Sequence, residues 1–115
     1  METRTIPDEQ WIEHFDRFSR EHVGYATTIE VLDRQAGPQH IAVDLPLEGI
    51  SFDTKGTRPS ALEISVGDRP DQHISHVIDM PLHIREAVEA NGDIDVQIEP
   101  ANGPVTLIHV RGSVQ

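Results

Sequence analysis

Apolar residues near the amino terminus recur at a helical spacing, and those in the rest of the chain alternate as they do in strands. Trp11, Phe15, Phe18 and His22 fall at i, i+4, i+7 and i+11, with Ile12 beside Trp11. At about 100° per residue these positions share one face of a helix. The opposite face carries Glu9, Glu13, Asp16, Arg17 and Arg20. Glu13–Arg17 and Asp16–Arg20 are acid-to-base pairs at i, i+4, an orientation that supports an exposed helical face. Pro7 or Asp8 marks the start, acids occupy the first turn, and Gly24 supplies the stop. The pattern predicts an amphipathic helix between Pro7 and Gly24, with its aromatic side on a sheet.

Beyond Gly24 the period changes to two. Tyr25–Leu32 is rich in β-branched residues and alternates, with Tyr25, Thr27, Ile29 and Val31 on one face. A turn over Asp33–Gln39 leads to a second strand, His40–Leu45, forming a hairpin. Pro46 is expected to break the ladder, because it has no N–H to donate. A corner follows at Leu45–Gly49, and Ile50–Thr54 resumes as a short strand. Gly49 there implies a positive φ or a bulge. Lys55–Ser60 reads as a surface loop. Ala61–Val66 alternates strictly, with Leu62, Ile64 and Val66 inward, and Gly67–Asp71 turns the chain into a strand over Gln72–Asp79.

Pro81–Asn91 has helix-favouring residues, yet Leu82, Ile84 and Val88 keep a strand alternation broken only at Glu86, and it is read as a strand. Ile94–Glu99 and Val105–Arg111 are strands joined by Pro100-Ala101-Asn102-Gly103-Pro104, a hairpin loop. The whole reads as one α+β domain over residues 1–115. An N-terminal amphipathic helix packs on a curled, mainly antiparallel sheet of six or seven strands, with a partly closed barrel as a variant.

Composition narrows the function classes. The chain has 115 residues and no cysteine, so disulfides, thiolate nucleophiles and thiolate metal sites are excluded. That composition suits a reducing, cytoplasmic setting. No basic region followed by an apolar run suggests a signal peptide, and no apolar run approaches the roughly 18 residues of a membrane span. Twenty acids against nine bases leave a net charge of −11, which disfavours nucleic acid and anionic lipid as partners. Seven histidines make that charge dependent on pH between about 5 and 8.

Few residues have the spacing that chemistry needs. His73 and His76 form an H-x-x-H pair with Asp79 three further on, but on a strand residues three apart face opposite sides. A metal site among His73, His76 and Asp79 therefore needs further ligands, such as His109 or Asp44, brought in by folding. Ser51, Asp53 and His76 have the residue types of a nucleophile, an orienter and a base, and Ser51 and Asp53 share a strand face. No G-x-S-x-G elbow surrounds Ser51. Neither common nucleotide-binding glycine motif is present, and no cofactor is implied.

Ile6-Pro7 with Trp11, Phe15, Phe18-Ser19-Arg20 and Gly24, then Leu45-Pro46-Leu47-Glu48-Gly49-Ile50 with Asp53, His76 with Ile78 and Pro81, and Thr106-Leu107 form a pattern over nearly the whole chain. In this pattern the chain resembles a family of short bacterial proteins of unknown function. The resemblance implies a free-standing single domain and brings no reaction. Two functional readings follow. The first is a non-enzymatic module that binds a partner or self-associates through a sheet edge. The second is a small enzyme or metal-binding protein centred on His76, Asp79, Ser51 and Asp53.

Overall fold

The computed structural model describes residues 2–55 and 58–112. Its helix is α1 (Trp11–His22), and its strands are β1 (Glu2–Ile6), β2 (Ala26–Asp33), β3 (Gly37–Lys55), β4 (Arg58–Val66), β5 (Ile74–Asp79), β6 (Pro81–Val88), β7 (Ile94–Pro100) and β8 (Val105–Val110). All pairings are antiparallel, in the order β1-β6-β7-β8-β2-β3-β4-β5. The expected α+β class and the 100–104 hairpin are present, and the strand expected within 81–91 spans Pro81–Val88, with a turn after it. The expected 55–60 loop is shorter: Lys55 ends β3 and Arg58–Ser60 begin β4, while Gly56 and Thr57 lie outside the described residues.

Two features differ from the expectation. Residues 2–6 form an additional strand paired with β6, which raises the count to eight. The chain also does not stop pairing at Pro46. Instead β3 changes partner there, pairing with β2 as far as Pro46 and with β4 from Leu47 onward. Proline has no N–H to donate, but its carbonyl still accepts from Gly67 N–H at 2.7 Å, so it sits where one ladder hands over to the next. Two irregularities bend β3 around this point. At the first, Asp44 takes φ +52° and its N–H reaches Thr28 Oγ1 at 3.1 Å. The second is a register shift between Leu47 and Gly49; Gly49 marks that bulge and has no positive φ.

Bending at β3 curls the sheet. His76 on β5 lies 3.3 Å from Thr106 on β8, although β2, β3 and β4 separate those strands in the sheet. The end strands β1 and β5 do not pair, so the sheet is open rather than a closed barrel. Its concave face carries Ile29, Ile64, Leu62, Ile84, Val96, Ile98 and Ile108, all essentially inaccessible to solvent.

The helix closes this concavity. A 3₁₀ turn at Asp8–Gln10 leads into α1, and Gly24 at φ +88° turns the chain out of it, donating to Leu47 O at 2.8 Å. The indole N–H of Trp11 donates to Ile6 O of β1 at 2.8 Å, and its ring stacks on Phe52 of β3 with centroids 6.0 Å apart. Phe15 and Phe18 are buried beside it, while Ile12 is exposed and His22 only partly covered. Each fully buried large side chain contributes about 1.5–3 kcal/mol, so this cluster is a major part of what holds helix to sheet.

Two polar contacts fix the helix. Ser19 Oγ accepts from Ile50 N–H at 2.9 Å and donates to Phe15 O at 2.7 Å. His14 and Glu86 are both buried, with His14 Nε2 2.6 Å from Glu86 Oε2. Glu86 is the residue that interrupts the alternation of β6, and it points inward between Ile84 and the end of the strand.

Ser19→Ala removes the hydroxyl that meets Ile50 N–H across the helix–sheet junction. The unpaired group should cost about 1–3 kcal/mol. Urea denaturation checks this; an unchanged midpoint would mean that water replaces the hydroxyl at no cost.

Candidate metal centre

The outer face of β7 and β8 gathers the densest set of metal-ligating groups. Ile108 and Val110 point into the core, so His109 between them points outward. The β7–β8 register sets Asp95 directly opposite His109, and β2 sets Thr28 on its other side. The turn after β6 adds Glu89 and Asp93. That turn is closed by Glu89 N–H to Asp93 O at 2.8 Å, and Asp93 N–H donates to Asn91 Oδ1 at 3.0 Å.

Asp93 is held from a second side. Gly112 N–H donates to Asp93 Oδ1 at 2.6 Å. A Cβ at residue 112 would stand 2.6 Å from the Gly92 carbonyl carbon, so glycine is needed for the end of β8 to approach the turn. Asp93 Oδ2 then lies 3.1 Å from His109 Nε2. On the other ring nitrogen, Nδ1, Asp95 Oδ1 lies at 2.6 Å and Glu89 Oε2 at 3.8 Å. One ligand atom from each of Glu89, Asp95 and His109 lies within 4.8 Å of the others.

The electrostatics follow from this packing. Burial pulls His109 towards the neutral ring, but the Asp95 hydrogen bond and the charges of Asp95, Asp93 and Glu89 outweigh it and raise its pKa. Glu89 is raised mainly by its hydrogen bond and charge repulsion with Asp95. Asp93 is lowered chiefly by Gly112 N–H. Two carboxylates thus crowd one imidazole nitrogen, and a third holds the opposite nitrogen. A carboxylate on the far nitrogen of a ligating histidine orients the ring for a metal.

The other sequence-derived candidates lie elsewhere. Asp44 borders the same outer depression, of about 640 Å³, but both its oxygens accept from Arg111, at 3.1 Å each. His73 lies before β5 and is exposed, 3.4 Å from Glu48. His76 faces the concave side towards Thr106, and burial lowers its pKa. Asp79 borders the small cleft beside His76. Ser51 and Asp53 are exposed on the outward face of β3, the side opposite His76, because strand neighbours alternate.

The sequence reading did not name Glu89, Asp93 or Asp95. A signal for Asp95 was available: the 100–104 hairpin loop sets 98 opposite 106, and hence 95 opposite 109. His14, three residues after Trp11 and four before Phe18, was on the buried stripe as well. Glu86 was visible only as a broken alternation.

Residues 2–115 match the family of unknown function DUF5335. An "Uncharacterized protein" of Aquifex aeolicus (strain VF5) is 34% identical over 110 residues, covering 96% of this chain and 82% of that protein. No solved structure matches the chain significantly. No helix among the described residues is long and apolar enough to cross a membrane. Helix, LPLEGI corner and C-terminal hairpin all fall within the matched span, and the chain belongs to the DUF5335 family of unknown function.

Proposed function

We propose that this domain is a non-enzymatic binding module that holds a divalent transition-metal ion on its outer sheet face. The observation that carries the reading is the convergence of Glu89, Asp95 and His109 donor atoms within 4.8 Å of one another. An imidazole with two carboxylates suits zinc or a similar first-row ion better than calcium or magnesium, which prefer oxygen alone. Asp93 supports the ring from Nε2 and need not bind the ion itself. Modest rotation of these half-buried side chains closes the donors onto a cation, which relieves the Glu89–Asp95 repulsion. The absence of cysteine suits a cytoplasmic setting for such a module.

Protons and metal compete for His109 Nδ1. The raised pKa means that protonated His109, paired with its carboxylates, stabilises the fold fully below its ordinary value of about 6.5. This contribution fades as pH rises through the raised folded value. Metal affinity runs the other way and strengthens with rising pH. Calorimetric titration with Zn²⁺ should show saturable binding that is stronger at pH 8 than at pH 6. His109→Ala or Asp95→Asn should weaken it by about tenfold or more. No saturable heat in the wild type would sink the reading.

A second reading, self-association, is favoured by β5. It ends the sheet on one side, and Val77 and Met80 beside its free edge are 52% and 58% exposed. Antiparallel pairing of β5 with its copy would satisfy that edge and cover both side chains. Native mass measurement at rising concentration should show a dimer that Val77→Lys reduces to a monomer; a wild type that remains monomeric throughout removes it.

A further inference from the structure

At the surface where α1 meets β1, two exposed arginines converge on the buried histidine of α1. Arg4 Nη2 of β1 and Arg17 Nη2 of α1 each lie 3.5 Å from His14 Nδ1. Arginine only donates, so His14 faces them with its Nδ1 lone pair and turns its Nε2–H to Glu86. His14 and Glu86 are 9% and 8% exposed. A lone pair satisfies one donor, and two guanidiniums bring ten N–H groups between them.

The charges around this point are Arg4 and Arg17 against Glu13, which borders the same depression, and the buried Glu86, which stands opposite Arg4 in the β1–β6 ladder. The i, i+4 partner expected for Arg17 is Glu13, but Arg17 turns to His14 instead, whereas Arg20 does pair with Asp16. Among the described residues neither Arg4 nor Arg17 has a carboxylate within ion-pair distance. Both guanidiniums meet at one ring nitrogen rather than at a carboxylate of the described residues. They border a depression of about 250 Å³ with Gln10, Glu13 and His14. The buried carboxylate behind His14 holds the ring in place, and therefore holds the point on which both arginines meet.

We infer that Arg4, Arg17 and His14 form a binding site for an oxyanion group, a phosphate or carboxylate carried by a small ligand. Each guanidinium presents a planar pair of donors that matches such an anion, and the anion removes the repulsion between them. Gln10 supplies a neutral amide donor at the rim. Glu13 opposes a highly charged ligand and limits how deep it sits. The site stands on the opposite side of the sheet from His109, and is independent of the cation reading.

Inorganic phosphate and, in a separate arm, acetate are titrated into the whole protein at constant ionic strength, with ¹⁵N shifts of the His14 ring as the readout. A saturable shift of Nδ1 is expected with at least one anion, and the arm that saturates identifies the group. Arg17→Gln and Arg4→Gln, both at exposed positions, should weaken binding by about tenfold or more while circular dichroism stays unchanged. His109→Ala should bind the anion as the wild type does. Neither anion saturating, or both arginine variants binding as tightly as the wild type, would overturn the proposal.

Discussion

The fold depends on one helix filling a sheet that does not close. Eight antiparallel strands curl until β5 and β8 face each other, but β1 and β5 remain unpaired, so a large apolar concavity would otherwise meet water. Aromatic rings cover it. Trp11, Phe15 and Phe18 come from the helix and Phe52 from β3, and the ring centroids of Trp11–Phe52, Phe15–Phe52 and Phe15–Phe18 lie 5.7–6.0 Å apart. Offset and tilted rings at that spacing add to their area burial. Tyr25, the fifth aromatic residue, borders the same cluster through His22. Four of the five aromatic residues of this protein thus lie in one cluster.

The direction of the helix is set by polar groups rather than by rings. Apolar contact alone tolerates sliding, whereas a hydrogen bond to a fixed backbone group does not. Ser19 ties the last turns to Ile50, Trp11 ties the first turn to Ile6, and the His14–Glu86 pair pins the middle to β6. Ser19 lies in the FSR segment and Ile50 closes LPLEGI. These two stretches of the pattern are therefore the two sides of one contact. The Leu47–Gly49 bulge brings the Ile50 backbone within reach, with Ser19 packed at 3.7 Å from where a Gly49 Cβ would stand.

Each face of the sheet places one histidine among charged side chains. Outside, three carboxylates surround His109, and the hydrogen bond with Asp95, followed by its charge, raises the pKa of Glu89. Inside, at the helix, two arginines surround His14 with Glu86 behind it. Each histidine has one nitrogen held by a carboxylate; the other meets Asp95 and Glu89 in His109, and Arg4 and Arg17 in His14. The same residue type thus meets different charged neighbours on the two faces.

Periodicity alone determined the helix, most of the strands, the inward positions of β2 and β4 and the C-terminal hairpin, because those depend on local backbone preference and on which side chains avoid water. Tertiary structure decided what local pattern does not encode. Residues 2–6 became a strand only because β6 offered an edge, and Pro46 stayed in a ladder because β3 changes partner there. Ser51 and His76 parted because alternation sent them to opposite faces. Glu86 found His14, and Glu89 and Asp95 met at His109, through contacts between residues far apart in the chain. Such contacts are set by register and curl, which are properties of the whole sheet and not of any one segment.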